Sequence, residues 1–440
     1  MAKIKKTFAD RFIIDPVSDF ISNSKMGGIV LFSSAALALI IANSPLGESF
    51  HHIWETIFTI GIGDHVIAKS LHHWINDGLM AIFFFVVGLE LKREILVGEL
   101  KNPRLALLPI MAAIGGMIFP ALIYFAINAN GATEGWGVPM ATDIAFALGI
   151  LYLLGDRIPL SLKVFLTAIA IVDDLGAVLV IAFFYTSEID FGSLFRGLGF
   201  LLILIAANLA GVRNTLFYGV VGIAGVWLAF LLSGVHATIA AVLAAFTIPA
   251  STHIDEETFT AKLSILFNRF KSAEPNDNRL VTHEQQEVLS KIQYFSKNAI
   301  PPLQRLEHGL HPFVSFVVMP IFALSNAGVV FHGNILDSLF APVTLGIAFG
   351  LLVGKIVGVT FMTWLTIKLR LSSLPTGMSM KQVAMVGILA GVGFTMSLFI
   401  AGLAFESEEL LSQAKLGVLL ASITAGFVGY FTLKRYFSEK

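Results

Sequence analysis

Long apolar runs recur along almost the whole chain and are separated by short polar segments. A run of about 20 apolar residues is long enough to cross a bilayer as a helix. By this criterion the sequence predicts about twelve spans, which begin near Met26, Leu71, Leu105, Gly137, Leu160, Phe195, Thr215, Gly234, Pro312, Pro342, Gln382 and Ala414. The pattern therefore predicts an all-α polytopic membrane protein.

Two of these spans contain residues that interrupt a helix. The fourth is short, includes Pro139 and carries the polar residue Thr142, and the eleventh contains Gly391 and Gly393 near its centre. Backbone groups freed by such breaks need partners inside the protein, because lipid offers none. Spans three to five and ten to twelve each contain one interrupted helix and have opposite orientations. This arrangement predicts inverted-topology repeats around a binding site.

Charge in the loops predicts the topology. Lys and Arg precede the first span, follow the second, fourth, sixth and tenth, and close the chain, whereas the intervening loops are mostly acidic. Because basic loops stay in the cytoplasm, both termini are predicted to be cytoplasmic. The resulting organisation is a cytoplasmic or interfacial segment at 1–25, spans one to eight at 26–250, a cytoplasmic insert at 251–306, and spans nine to twelve with a short cytoplasmic C-terminus at 307–440. Within the insert, 284–298 has the pattern of an amphipathic helix.

Composition agrees with a membrane protein. Hydrophobic residues make up 56% of the 440 residues, charged residues only 13%, and the mean hydropathy is +0.81. The net charge of −1 and the lack of a basic stripe predict no nucleic-acid partner. The sequence has no cysteine, which excludes disulfides, thiolate metal sites and cysteine catalysis.

The strongest functional signal is a pair of adjacent carboxylates, Asp173 and Asp174, within the apolar run 164–184. Ionisable residues at this depth are costly and usually face a partner or an ion path. Successive helix residues point about 100° apart, so the two carboxylates face different neighbours. One could pair with Lys355 while the other faces a hydrated cavity. A carboxylate with hydroxyl and carbonyl oxygens nearby can hold Na⁺ or H⁺ but not both, which favours cation/proton antiport.

The remaining polar residues in or near the spans each have a simpler interpretation. Lys355 could reach an interface, although a mid-span position favours a buried ion pair. Asp143 could only neutralise the ends of broken helices, and Asp77 could be a solvated cap. His236 could be a hydrogen-bonded structural residue at a span end. Surface anchoring or a solvated cluster would account for the charged residues Glu90, Lys92, Arg93, Glu94, Glu307, His308 and His311.

Several segments closely resemble the NhaA-type sodium/proton antiporters. They are 141–149, 171–177 and 391–397, together with 87–94, 233–238 and 350–358. The resemblance extends from about Met26 to the C-terminus, except for the cytoplasmic insert. It implies twelve helices, with the fourth and eleventh unwound and crossing near the midplane. It also implies a secondary active transporter rather than an enzyme, with electrogenic exchange of more than one proton per Na⁺ or Li⁺ and no cofactor.

The same resemblance implies roles for individual residues. Asp174 would be the principal cation ligand and Asp173 would exchange protons. Lys355 would pair with a carboxylate and balance helix ends, and Asp143 would balance the others. The hydroxyl oxygen of Thr142 makes this residue a further candidate for binding the cation. Apart from the resemblance, Asp77 is a candidate for the cation path because it lies near the outer end of the second span. A cytoplasmic pH-sensing region would include Glu90, Lys92, Arg93, Glu94, Glu307 and His311, and His236 would take part in the pH response. A β-hairpin near 56–70 would support a homodimer in the bacterial cytoplasmic (inner) membrane.

One feature departs from the family pattern, and other protein classes stay open. The segment before Glu307 is longer than is typical, which leads to the hypothesis that the insert modulates activation. An intramembrane aspartyl protease needs two carboxylates from separate helices, unlike Asp173 and Asp174. A cation channel would need a continuous polar pore. A symporter of related architecture differs by moving Na⁺ and H⁺ in the same direction.

Overall fold

The computed structural model describes residues 24–62, 65–186, 189–273, 280–330 and 335–438, and most of these residues are helical. The segment predicted at 1–25 lies almost entirely outside the described residues. Helix α1 (Ser24–Ala42) is followed by α2 (Gly47–Glu55), and the two axes differ by 115°. Strands β1 (Ile57–Ile62) and β2 (His65–Ser70) then pair antiparallel, with Ile57 opposite Ser70. This pairing confirms the hairpin predicted at 56–70.

The helices that follow account for most of the membrane-spanning part. Helix α3 (71–97) contains a π-helical turn at Trp74–Leu79. Next come α4 (Pro103–Ile127), the 3₁₀ segment Thr133–Met140, α5 (Ile144–Leu153), α6 (Leu160–Phe184), α7 (Phe191–Leu209), α8 (Thr215–Ser233) and α9 (Ala237–Thr247). After the insert come α12 (Pro302–Asn326), α13 (Ile335–Leu339), α14 (Pro342–Lys368), α15 (Met380–Ala390), α16 (Phe394–Ala404) and α17 (Glu408–Ser438).

Shorter turns connect or interrupt these helices. Two 3₁₀ turns lie at Glu99–Lys101 and Gly155–Arg157. Further π-helical turns lie within α8, α12 and α14, at Val221–Trp227, Val314–Val318 and Gly350–Gly354.

Among the described residues, eight helices are long and apolar enough to cross a membrane, or ten if each of two bent pairs counts as one span. The bent pairs are α1 with α2 and α15 with α16. Helix α3 carries charged residues near its end, and α9 has only 11 residues, short of the ~20 that cross a bilayer. The chain is therefore a multi-pass membrane protein, and the count of twelve spans stays a prediction.

Helices α4 and α14 pack closely because both lack side chains at the contact. A Cβ atom on Gly115 would lie 2.2 Å from the carbonyl oxygen of Gly358, and one on Gly358 would lie 2.1 Å from that of Gly115. Only glycine allows two backbones to approach this closely. A Cβ on the neighbouring Gly116 would lie 3.6 Å from Lys355 Nζ, so this contact also places the buried lysine.

The insert forms a helical hairpin of α10 (Glu256–Ser272) and α11 (His283–Ala299). The amphipathic helix predicted at 284–298 is confirmed, and α10 was not predicted. The sequence of α10 is rich in Thr, Ser and charged residues, so the apolar face of this helix is hard to recognise from the sequence. Arg269 Nε donates to Glu284 Oε1 at 3.0 Å and joins the two helices. The two ends of the hairpin lie next to each other, because the His253 amide donates to the Asn298 carbonyl at 3.1 Å.

Candidate functional site

Two breaks in helical structure meet at the centre of the molecule. Residues 141–143 separate the 3₁₀ segment Thr133–Met140 from α5, and residues 391–393 separate α15 from α16 with a bend of 50°. The amide of Asp143 donates to the carbonyl oxygen of Val392 at 2.7 Å, so the two non-helical segments contact each other directly. A Cβ on Gly393 would lie 3.0 Å from the Ala141 carbonyl oxygen, which explains glycine at this position.

Asp143 holds the starts of two helices together. Its Oδ1 accepts from the Phe146 amide at 3.0 Å, which caps α5. Its Oδ2 accepts from the amide of Thr395 at 3.2 Å and from the Thr395 hydroxyl at 2.5 Å, at the start of α16. A carboxylate is stabilised at a helix N-terminus because the free N–H groups there carry partial positive charge. The buried Asp143 therefore accepts hydrogen bonds from the first turns of both half-helices.

Asp173 lies in a buried ion pair. Lys355 Nζ donates to Asp173 Oδ2 at 2.5 Å, and both side chains have 0% of their surface exposed. The Thr142 hydroxyl lies 2.8 Å from the same Oδ2 and 2.9 Å from the carbonyl oxygen of Ala390. A buried charge needs a partner and further hydrogen bonds to be tolerated, and Asp173 has both on one oxygen.

Asp174 has a different environment from its neighbour. Its side chain is buried, with 0% exposure. Within the described part of the chain, neither carboxylate oxygen has a hydrogen-bond donor. Asp174 instead lines a cavity of about 430 Å³. A buried acidic group that lacks donors and faces a cavity is suited to bind a proton or a small cation.

The cavity extends from Asp174 to charged residues at one end of the helices. Arg93 donates to the buried Glu307, and its Nη2 donates to Glu94 Oε1 at 3.0 Å. His308 and His311 line the same end and are exposed, so the cavity reaches the surface there. The interpretation of Glu307 as part of a solvated cluster is therefore wrong, because its carboxylate is buried against Arg93 of α3.

The predicted residues outside the centre divide into two groups. Glu90 lines the cavity. Lys92 Nζ donates to two carbonyl oxygens where α9 ends, at 2.7 Å from Phe246 and at 2.5 Å from Ile248, the residue after the helix. Asp77 and His236 lie at the other end of the molecule. Asp77 precedes Arg93 by 16 residues on α3, which is about 24 Å of helix.

At that other end, the Asp77 backbone and the His236 side chain each form a hydrogen bond. The Trp227 indole N–H donates to the Asp77 carbonyl at 3.0 Å, and His236 Nε2 lies 2.8 Å from the Tyr185 carbonyl oxygen. Asp77 is half-buried rather than a fully solvated cap. Neither Asp77 nor His236 lines the cavity that contains Asp174.

The oxygen atoms at the centre suit a hard monovalent cation. Carboxylates, the Thr142 hydroxyl and carbonyls freed by the breaks are all oxygen donors. In the ranges that the structure covers, no group of three or more His, Cys, Asp or Glu is arranged to hold a metal ion. The carboxylates at the centre offer oxygen atoms of the kind that hard cations prefer.

Two hydroxyl groups near the breaks have hydrogen-bond partners that the sequence did not predict. Thr395 donates to Asp143, and Ser422 of α17 accepts from the Phe394 amide at 3.0 Å, at the first turn of α16. Thr395 follows two glycines closely, a signal that marks it as near a helix break. Ser422 lies in an ordinary apolar helix, and its partner is 28 residues away.

Comparisons with known proteins cover nearly the whole chain. The family profile described as Na⁺/H⁺ antiporter 1 matches residues 18–433. A protein of Oleidesulfovibrio alaskensis named Na(+)/H(+) antiporter NhaA is 50% identical over 424 residues, which covers 96% of this chain and 94% of the relative. Na(+)/H(+) antiporter NhaA 2 of Syntrophotalea carbinolica is 48% identical and covers 98% and 99%. NhaA 1 of Saccharophagus degradans is 48% identical and covers 97% and 93%.

Proposed function

Because this chain belongs to the Na⁺/H⁺ antiporter 1 family, we propose that it is a secondary active transporter that exchanges Na⁺ for H⁺ across a membrane. The observation that carries the proposal is the position of Asp174, buried at the end of a cavity without a hydrogen-bond donor among the described residues. Na⁺ and H⁺ compete for this carboxylate. Competition at one site gives exchange when the site opens to one side at a time.

Asp174 is the principal cation ligand in this mechanism. The Thr142 hydroxyl and carbonyl oxygens from residues 141–143 and 391–393 complete the set of oxygen donors. Asp173 takes part in proton exchange through its ion pair with Lys355, since the two side chains together hold one proton. Na⁺ beside Asp174 replaces the positive charge that Lys355 supplies to Asp173, so the pair releases this proton. Two carboxylates at one site allow more than one H⁺ to be exchanged for each Na⁺ or Li⁺, which makes transport electrogenic.

The charged end of the cavity regulates access. Arg93, Glu94 and Glu307 form one ion-paired group beside Glu90, and Lys92 holds the end of α9. Glu90, Arg93, Glu307 and His311 line the cavity that leads to Asp174, and in this mechanism they form the pH-sensing region. Transport is therefore pH-regulated. Asp77 and His236 lie on the opposite side of the site, where the released cation leaves and where His236 contributes to the pH response.

The transporter is a homodimer with twelve spans in the bacterial cytoplasmic membrane, and both termini are cytoplasmic. The β-hairpin supports the dimer, because Phe58 and Ile60 on β1 and Val66 on β2 are each more than half exposed (51%, 51% and 52%). Apolar side chains on an exposed two-stranded sheet favour pairing with a second copy.

The test uses everted membrane vesicles from cells without their own sodium/proton exchangers. A pH gradient is established, and Na⁺, Li⁺ or K⁺ is added across a pH series. We expect Na⁺ to collapse the gradient with the wild type and with the exposed control Asp337→Asn, but not with Asp174→Asn. Loss of Na⁺ response in all three would refute antiport. A pH change of the opposite sign would indicate symport.

A further inference from the structure

A second cavity, which the transport mechanism does not use, lies on the outside of the helical bundle. This groove has a volume of about 470 Å³ and lies between α1, α5 and α17, with Phe394 of α16 at its floor. Its walls are almost wholly apolar and include Phe32, Ala36, Phe146, Ile150, Ile423 and Phe427. Because every wall belongs to a membrane-spanning segment, the groove opens to lipid and not to water.

Positive charge lies at one end of the groove. Tyr430 of α17 lines the groove, and Lys434 Nζ lies 5.7 Å from the centre of its ring. Arg435 follows directly, and both basic residues are exposed. Basic side chains next to a membrane surface attract anionic lipid head groups. The apolar groove and the basic end thus match the two parts of one phospholipid molecule.

We propose that the groove binds an acyl chain of an anionic phospholipid from the leaflet at the C-terminal end of α17, with the lipid phosphate beside Lys434. The volume supports a chain as occupant, since a cavity of ~150 Å³ accommodates benzene and this groove is about three times larger. An empty apolar space of this size would forfeit many dispersion contacts. Lipid is the only abundant apolar molecule at that depth.

The bound chain contacts the helix starts that form the cation site. The rings of Phe146 and Phe394 are 5.4 Å apart at the floor of the groove. The Phe146 amide donates to Asp143 Oδ1, and the Phe394 amide donates to Ser422 Oγ. The acyl chain therefore packs against the first turns of α5 and α16. Only Phe146 and Phe394, which line the groove, then separate the lipid from the region of the Asp143 carboxylate.

The test measures lipid binding directly and does not depend on transport. Purified protein in vesicles is irradiated with a phospholipid that carries a diazirine in its acyl chain, with either an anionic or a zwitterionic head group. We expect labelling of peptides that contain Phe427 and Phe431 to exceed that around Phe183, which is 78% exposed to lipid elsewhere. The Ile423→Trp variant fills the groove and should reduce the groove label about tenfold.

Matched variants separate the groove from ordinary lipid contact. Val428→Trp is the control for Ile423→Trp, because both positions lie on α17 and both are 44% exposed, but only Ile423 lines the groove. Ala36→Phe is a second filling variant if Ile423→Trp does not fold. Lys434→Gln should weaken labelling by the anionic lipid only. The proposal fails if groove labelling equals that at Phe183, if the filling variants and Val428→Trp act alike, or if both head groups label equally.

Discussion

Asp173 and Asp174 are adjacent in the chain, yet they share no hydrogen-bond partner. Asp173 is held by Lys355 and Thr142, whereas the Asp174 oxygens face a cavity and have no donor within the described residues. The separation follows from helix geometry, since consecutive side chains point about 100° apart. One carboxylate is thus paired within the protein, and the other is the one that the proposed mechanism assigns to the ion.

Replacing Lys355 should destabilise the protein strongly. Lys355→Met leaves the Asp173 carboxylate buried without its counter-charge, which typically costs about 3–5 kcal/mol. The double variant Lys355→Met with Asp173→Asn should recover much of this loss. The measurement is reversible denaturation in mixed detergent micelles. Lys368→Met on the same helix is the control, because Lys368 is exposed; an equal loss there would contradict the assignment.

Removing the Thr395 hydroxyl should weaken both stability and transport. Thr395→Val keeps the side-chain shape but deletes a donor to the buried Asp143, which typically costs about 1–3 kcal/mol. Thr395→Ser keeps the hydroxyl and should behave like the wild type. Unfolding midpoints and Na⁺-dependent collapse of a pH gradient report the two effects. Equal behaviour of the Val and Ser variants would show that the hydroxyl is not needed.

A methyl group at the α4–α14 contact should be poorly tolerated. Gly115→Ala would place Cβ 2.2 Å from a carbonyl oxygen of Gly358, and such overpacking typically costs about 1–3 kcal/mol. Gly219→Ala on α8 is the control, since a Cβ there meets no described atom within 4 Å. It should be neutral or should stabilise the helix by up to about 1 kcal/mol. Similar unfolding midpoints for both variants would argue against close backbone packing.

Acid should loosen the helical hairpin of the insert. The hydrogen bond and charge of Lys291, together with Arg269, lower the pKa of Glu287 from its ordinary value of 4.5. This contribution to stability is complete above pH 4.5 and is lost as the pH falls through the lower folded pKa. Hydrogen exchange in α11, corrected for intrinsic rates, should therefore increase as the pH falls below 4.5.

Two Glu→Gln variants of the helical hairpin, at different positions, test this pH effect. Glu287→Gln should lose protection in α11 already at neutral pH and should show a smaller acid effect. Glu257→Gln changes an exposed carboxylate on α10 and should keep the wild-type profile. An acid response that is the same in both variants would assign the loosening to other carboxylates.

Deleting the insert should change the pH profile without abolishing transport. The His253 amide contacts the Asn298 carbonyl, so a short linker can join the ends after removal of residues 254–297. The shortened chain keeps α12 and its Glu307. The Na⁺-dependent collapse of a pH gradient, measured across a pH series, should persist with a shifted midpoint. An unchanged midpoint would refute a role for the insert in activation.

Features set by local sequence were predictable. The apolar runs indicate most spans, the isolated charges mark Asp173, Asp174 and Lys355, and the amphipathic pattern predicts α11. The ion pair of Asp173 with Lys355 was predicted although 182 residues separate them, but other contacts between distant segments were not predictable from one sequence. Glu307 and Arg93 are 214 residues apart, so nothing in either segment indicates that they pair. The role of Ser422 also depends on a neighbouring helix.

The mutual contact of Gly115 and Gly358 constrains how the protein can change conformation. Sliding of α4 past α14 would bring residues with side chains to a contact that has room only for glycine. We therefore expect α4 and α14 to move together. Lys355 travels with them. In the proposed exchange, Asp174 opens to the opposite side of the membrane, and the contact distinguishes two motions. Either α6 shifts relative to α4 and α14 and separates Asp173 from Lys355, or all three helices rotate together and keep the ion pair intact.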